Sequence, residues 1–341
     1  MIDAGVAEAL EAQEPPEVLG AERTDVAMLV ASRSDGALIH ARFGELRRFL
    51  RPGDLLVVNT SATLPAALPA RLQGEDLLLH VSTPADAGNW VVELRTADLM
   101  PFRAPRMGAR LDLPGGAEAE LLAPYLGSSR LSVARLSLGE PVEDYLARHG
   151  RPIRYCHSPQ RWPIDAYQTV FAADPGSAEM PSAGWPFTAE LVAKLAARGV
   201  LFAPVTLHAG VSSLELGESP YPERYRVPVA SAWLVNAVRE SGGRVIAVGT
   251  TVVRALETVA APGGAVHAGQ GVTNLVVTPE RGLHAIDGLI TGWHEPSSSH
   301  LQLLQASAGP DLLRRSYQAA AADGYRFHEF GDGHLILPRA S

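Results

Sequence analysis

The chain holds one cysteine, Cys156, in 341 residues, so no disulfide can form within it and the composition fits a reducing compartment. It holds one lysine, Lys194, so arginine makes up 28 of the 29 basic residues. No apolar run approaches the roughly 20 residues that a membrane helix needs. Leu55–Val58 and Val245–Val248 are among the longest such runs. The opening Met-Ile-Asp-Ala-Gly-Val-Ala-Glu-Ala-Leu-Glu is acidic and lacks the basic start and apolar centre of a secretory leader. The sequon at Asn59-Thr60-Ser61 therefore carries no weight. What is present is the composition of a folded, cytoplasmic protein, 46% hydrophobic and 19% charged, with a net charge of −8. That charge disfavours indiscriminate nucleic-acid binding, because phosphate repulsion acts at long range. Arginine is still the better residue for gripping phosphate or carboxylate with two hydrogen bonds. Abundant alanine beside scarce lysine reads as coding bias, so only local arginine clusters are informative.

Hydrophobic periodicity divides the chain. Residues 1–22 are acidic and without a strong apolar period, which predicts a mobile or loosely docked arm. Asp25–Arg33 and Leu38–Ala41 read as a hairpin turning at Ser34-Asp35-Gly36, followed by a short helix over Phe43–Leu50 and a buried strand at Leu55–Asn59. Between residues 63 and 150, short apolar runs alternate with Gly, Pro and Asp turns, which predicts a small antiparallel β-barrel subdomain. Beyond it helices alternate with strands. Thr188 caps a helix ending at Gly199, Val200–Leu207 reads as a strand interrupted at Pro204, and Arg244–Val248 is a buried strand between two helices. The expected fold is an α/β main domain, residues 23–62 and 151–341, carrying an inserted barrel at 63–150. Two crossings between domains leave a cleft, a usual place for small ligands.

Five segments look chemical. Arg244-Val-Ile-Ala-Val-Gly-Thr-Thr-Val-Val-Arg254 runs from a buried strand through Gly249 directly into a helix, whose N-terminus attracts carboxylate or phosphate. Tyr167–Thr188 holds a long loop of small and polar residues, Val205-Thr-Leu-His208 places a histidine near a strand end, and Asp287–Ser299 is a polar stretch after a short apolar run. The fifth is Tyr325-Arg-Phe-His-Glu-Phe-Gly-Asp332. No nucleotide-binding glycine motif is present. Neither His294, Glu295 and His300 nor His149, Cys156 and His157 have zinc spacing with a full ligand count.

Taken together these segments resemble the S-adenosylmethionine:tRNA ribosyltransferase-isomerase family of queuosine biosynthesis. The resemblance runs from about Thr24 to Leu337 and also rests on Phe49-Leu-Arg-Pro-Gly-Asp-Leu-Leu-Val-Val-Asn59, Gly176-Ser177, Ala183-Gly184 and Phe187-Thr188. It implies an α/β domain with an inserted small barrel. It also implies transfer and isomerisation of the ribosyl part of S-adenosylmethionine onto a 7-aminomethyl-7-deazaguanine base in tRNA, giving epoxyqueuosine-tRNA with release of adenine and methionine. S-adenosylmethionine is then a co-substrate, and no metal is implied. The sulfonium acidifies the C5′ protons, so a general base is required. Candidates for proton transfer are His208, His294 and Asp287. Gly249, Thr250, Thr251 and Arg254 suit the methionine carboxylate or a phosphate, and Trp185, Phe187 and Trp293 offer faces for a purine. For tRNA, Tyr145–Ile164 has no acidic residue and contains Arg148, Arg151, Arg154 and Arg161. No membrane partner is expected, and the protein reads as a monomer or weak oligomer.

Several positions depart from the family pattern. A Gly-Leu-His-Phe-Thr stretch becomes Gly184-Trp-Pro-Phe-Thr188, replacing a histidine by Pro186. A histidine pair before Glu-x-Tyr is missing ahead of Glu223 and Tyr225, and arginines following Asn59 and Pro65 are replaced in Asn59-Thr-Ser-Ala62 and Pro65-Ala-Ala67. Thr-Asn-Phe-His-Leu-Pro becomes Thr291-Gly-Trp-His-Glu-Pro296. Two alternatives therefore stay open: a paralogue using S-adenosylmethionine without tRNA, and a non-catalytic relative that binds a metabolite.

Overall fold

A computed structural model describes residues 11–103, 105–155, 160–211, 220–294 and 300–338. Its strands begin with β1 (Ala27–Ser32), β2 (Leu38–Arg42), β3 (Leu55–Asn59) and β4 (Ser61–Thr63). Six follow in quick succession: β5 (Ala67–Leu72), β6 (Glu75–Pro84), β7 (Trp90–Thr96), β8 (Arg110–Asp112), β9 (Glu118–Pro124) and β10 (Leu131–Ser137). Helix α1 (Val142–His149) closes this section. The rest of the chain gives β11 (Asp174–Ser177), α2 (Ala189–Ala196), β12 (Leu201–Leu207), β13 (Glu223–Val227) and α3 (Val229–Glu240). It continues with β14 (Val245–Val248), α4 (Thr250–Val259), β15 (Gly269–Thr273), β16 (Gly288–Thr291), α5 (His300–Ala308), α6 (Pro310–Ala322) and β17 (Gly333–Leu337).

Leu55–Asn59 is buried at every position, as a strand covered on both faces must be. It sits within a nine-stranded mixed sheet ordered β15–β13–β12–β3–β14–β16–β17–β1–β2. The alternation of a strand's side chains decides which core each residue enters. Leu55, Val57, Val245 and Ala247 pack with residues of α3 to α6 on one face. Leu56, Val58, Ile246 and Val248 pack on the other with α2 and the Phe43–Arg48 turn of 3-10 helix.

Strands β5 to β10 close into an antiparallel barrel in the order β10–β7–β6–β5–β8–β9. Its interior is a separate core to which α1 contributes Tyr145 and Leu146. The fold class is the expected one, an α/β domain with an inserted antiparallel barrel. Where the barrel joins the main domain, Ala67 and Arg151 pair through two backbone hydrogen bonds of 2.8 and 2.9 Å. A Cβ on Gly150 would lie 1.9 Å from Pro65 O, so only glycine lets the outgoing and returning chains touch there.

Two local expectations need correcting. Pro204 does not interrupt its strand: β12 runs continuously from Leu201 to Leu207. Leu201 N donates to Asp54 O on the β3 side, so by alternation the missing N–H of Pro204 faces the opposite edge. There β13 starts pairing only at Thr206. The helix expected over Phe43–Leu50 is a 3-10 turn ending at Arg48. In the described part of the N-terminal arm, Ala12 is buried and its N–H bonds Phe327 O at 3.1 Å. No helix among the described residues is long and apolar enough to cross a membrane.

Candidate active site

Strand β14 ends at Val248, and the chain turns through Gly249 into α4. Gly249 has φ 100° and ψ 152°, a backbone shape that side chains strongly disfavour, and its N–H holds Ile290 O at 2.8 Å. No described side chain caps α4, and the first N–H groups of such a helix end attract an anion. Asn59 fixes this end of the helix. Its Nδ2 donates to Leu207 O at 2.8 Å and to Thr251 Oγ1 at 3.2 Å, while its Oδ1 accepts from Leu207 N and Ser61 N.

Gly249, Thr250 and Thr251 form one wall of a cavity of about 340 Å³ between barrel and main sheet. The barrel side brings Val91, Arg95, Tyr125 and Leu131, and the loop before α2 brings Glu179–Ala183. Arg95 is held by Glu93, through contacts of 2.9 and 3.0 Å, and its guanidinium stacks over Tyr155. Burial opposes the charge of Glu93, but His80 and Arg95 prevail and hold its carboxyl down at about 2. Tyr155 donates to Glu179. Tyr125 and Tyr221 pair at 5.8 Å between ring centroids.

The remaining wall is made of histidines and a carboxyl. His294 and His300 meet through their Nδ1 atoms at 3.2 Å, and His294 Nε2 lies 3.0 Å from Thr291 Oγ1. Burial, with His300, His328 and His334 nearby, pushes His294 well below the ordinary histidine range. Burial and the charge of Arg254 lower His300 to about 4. These rings are therefore neutral around pH 7. His328 stands in left-handed backbone at φ 69°, beside Glu329, whose carboxyl is raised to about 7 by burial and by Glu179.

Some of the residues singled out from sequence do meet here. Gly249, Thr250, Thr251, Arg254, Trp293 and His294 all line the cavity. Arg254, however, is spent on its own fold. It pairs with Glu223 and donates to the carbonyls of Leu275, Tyr221 and Thr273. Trp293 has one face covered by His334, stacked at 4.5 Å.

Four of them lie elsewhere. His208 is outside the cavity lining: its Nδ1 bonds Ser61 Oγ at 2.8 Å, and its ring fills the space a Cβ on Gly176 would need. Asp287 sits at the opposite end of the parallel pair β14–β16, where Oδ2 accepts Val245 N. Trp185 and Phe187 are core residues, packed on Phe330 and on Phe43 and Phe171. Of the arginine stretch, Arg148 is exposed and paired with Glu140, whereas Arg154 feels both Arg161 and Arg151. Cys156 and His157, and Glu295 and Pro296 beyond His294, lie outside the described residues. Sequence reasoning missed His300, Tyr125 and Tyr221 as cavity residues, while Glu179 was within reach inside the Tyr167–Thr188 loop. Glu329 and His328 were within reach, inside the Tyr325–Asp332 segment.

A two-part α/β architecture with a ligand-sized cavity at the junction, a free helix N-terminus on one side and neutral histidines on another, is that of an enzyme. The chain belongs to the queuosine biosynthesis protein family, whose profile matches residues 5–336. It is 36% identical to an S-adenosylmethionine:tRNA ribosyltransferase-isomerase of Geobacter sulfurreducens, covering 95% of this chain and 97% of the relative. It is 38% identical to the protein of that name from Symbiobacterium thermophilum, with 96% of each chain covered. The crystal structure of an S-adenosylmethionine tRNA ribosyltransferase from Thermotoga maritima superposes with a TM-score of 0.53 at 30% identity, over 96% of this chain and 97% of that one.

Proposed function

We propose that the protein transfers and isomerises the ribosyl part of S-adenosylmethionine onto the aminomethyl group of a 7-deazaguanine base in tRNA, with release of adenine and methionine. The observation that carries this reading is the joint cavity, in a chain matching enzymes of that name from end to end. The N–H groups at the start of α4, with Thr250 and Thr251, receive the methionine carboxylate. Tyr125 and Tyr221 supply the stacking surface that Trp185 and Phe187 do not. Deprotonation next to the sulfonium needs an uncharged base in a water-poor site, which the buried imidazoles provide. Arg151, Arg154 and Arg161 gather positive charge for the tRNA backbone.

The test is adenine release from S-adenosylmethionine, with and without tRNA carrying the aminomethyl-deazaguanine base. Release that depends on that tRNA is expected. Release without tRNA would move the assignment to a small-molecule acceptor, which the replaced arginines at Ala62 and Ala67 favour. No release under any condition would leave a metabolite-binding relative.

A further inference from the structure

The paired histidines at the cavity are not equivalent. His294 uses both ring nitrogens inside the protein, Nε2 toward Thr291 Oγ1 at 3.0 Å and Nδ1 toward His300 at 3.2 Å. It therefore has no nitrogen left for a ligand. His300 uses only Nδ1, and its Nε2 has no hydrogen-bond partner among the described residues. His300 also lines the cavity, as the first residue of α5. We propose that His300, through Nε2, is the catalytic residue that takes the proton from the substrate, and that His294 and Thr291 act behind it as positioning residues.

The hydrogen-bond chain allows one consistent arrangement for such a base. With Nε2 of His300 bare, its proton sits on Nδ1 and is donated to Nδ1 of His294. His294 then carries its own proton on Nε2 and donates it to Thr291 Oγ1. This is the arrangement in which a third group orients the base. In the step itself, the carbon–hydrogen bond beside the sulfonium breaks and its proton passes to Nε2. The electron pair stays on carbon next to the positive sulfur. His300 becomes an imidazolium, and its Nδ1–H bond to His294 becomes charge-assisted, hence stronger. His328, also at the wall, lies 3.8 Å from Glu11. Burial keeps both linked rings neutral at pH 7, so the bare nitrogen is available without prior deprotonation.

The assignment rests on the proposed ribosyl transfer, and the test separates the two. His300→Gln should lower kcat by about a hundredfold or more while leaving the Kd for S-adenosylmethionine within about threefold. It should also abolish exchange of deuterium from 5′-deuterated S-adenosylmethionine into solvent, and added imidazole should partly restore the rate of His300→Ala. His294→Gln should cost less, about tenfold, and shift the pH midpoint of the rate. A His300→Gln variant that keeps kcat within about threefold, or still exchanges 5′-deuterium, overturns the proposal. Independently of any variant's folding, nitrogen-15 NMR of the wild-type imidazoles should show His300 protonated at Nδ1 and His294 at Nε2. The opposite tautomers overturn it. Failure of the wild-type protein to release adenine would instead count against the functional reading.

Discussion

Arg254 shows how a residue can stand in a ligand site and serve the fold. From sequence it is a cation one turn into a helix that begins at an anion-attracting end. In the structure its guanidinium neutralises buried Glu223, whose own carboxyl is raised by burial, and ties down three carbonyls. Glu223 in turn accepts Gly210 N at 3.1 Å, so one ion pair anchors two edges of the cavity. Arg254→Ala should therefore act first on stability, by about 3 kcal/mol, because it strands a buried carboxylate. Urea unfolding checks this, and unchanged stability with affinity for S-adenosylmethionine lost tenfold or more would return Arg254 to direct ligand contact. The helix position of Arg254 was legible in its spacing. Its partner was not, because Glu223 lies on another strand and no local pattern connects them. The same applies to His208, whose partner Ser61 is brought close by the β3–β12 pairing.

At the scale of elements, the strand–glycine–helix unit β14–Gly249–α4 was readable because its signals are local: a buried apolar run, a glycine and a threonine pair. Its role depends on the backbone at Gly249. An alanine there would hold φ near 100° at a cost of about 1–3 kcal/mol and put its Cβ 3.4 Å from that of Ala183. Gly249→Ala should weaken S-adenosylmethionine binding by about tenfold through the turned helix end, with only that modest loss of stability. Calorimetric titration measures it, and an unchanged Kd would remove the α4 N-terminus from the site. The aromatic residues were less readable. Trp185 and Phe187 flank a loop whose composition suggests a binding surface, yet their rings fill the core under it. Tyr125 opens a short 3-10 turn and Tyr221 lies in the irregular chain before β13, and both line the cavity between barrel and sheet.

For the molecule as a whole, composition and turn spacing were enough to expect a barrel inserted in an α/β domain, since both report on local alternation and punctuation. A cleft at the junction was expected from the two crossings, but much of its lining was beyond reach, because its walls come from stretches spread between Ser82 and Glu329. Net charge of −8 likewise says little about where a polyanion would lie. Arg154 is made less basic first by burial and then by Arg161 and Arg151, so these three arginines lie within electrostatic reach of one another. Arg154→Gln combined with Arg161→Gln should raise KM for tRNA and flatten its log–log salt dependence by about 1 to 2, leaving S-adenosylmethionine binding intact. Steady-state rates across a salt series would show this, and an unaltered slope would place the tRNA on another face.

The contact of Gly150 with Pro65, sealed by the Ala67–Arg151 bridge, has a mechanical meaning. Two chain segments lying side by side and hydrogen-bonded clamp the two ends of the insertion together, so the barrel leaves and rejoins the main domain at one place. A second tie lies at the cavity, where Ser82 Oγ of the barrel accepts Val211 N at 2.8 Å. An insertion fastened at both its root and its cavity edge holds the two walls of the site at a set spacing.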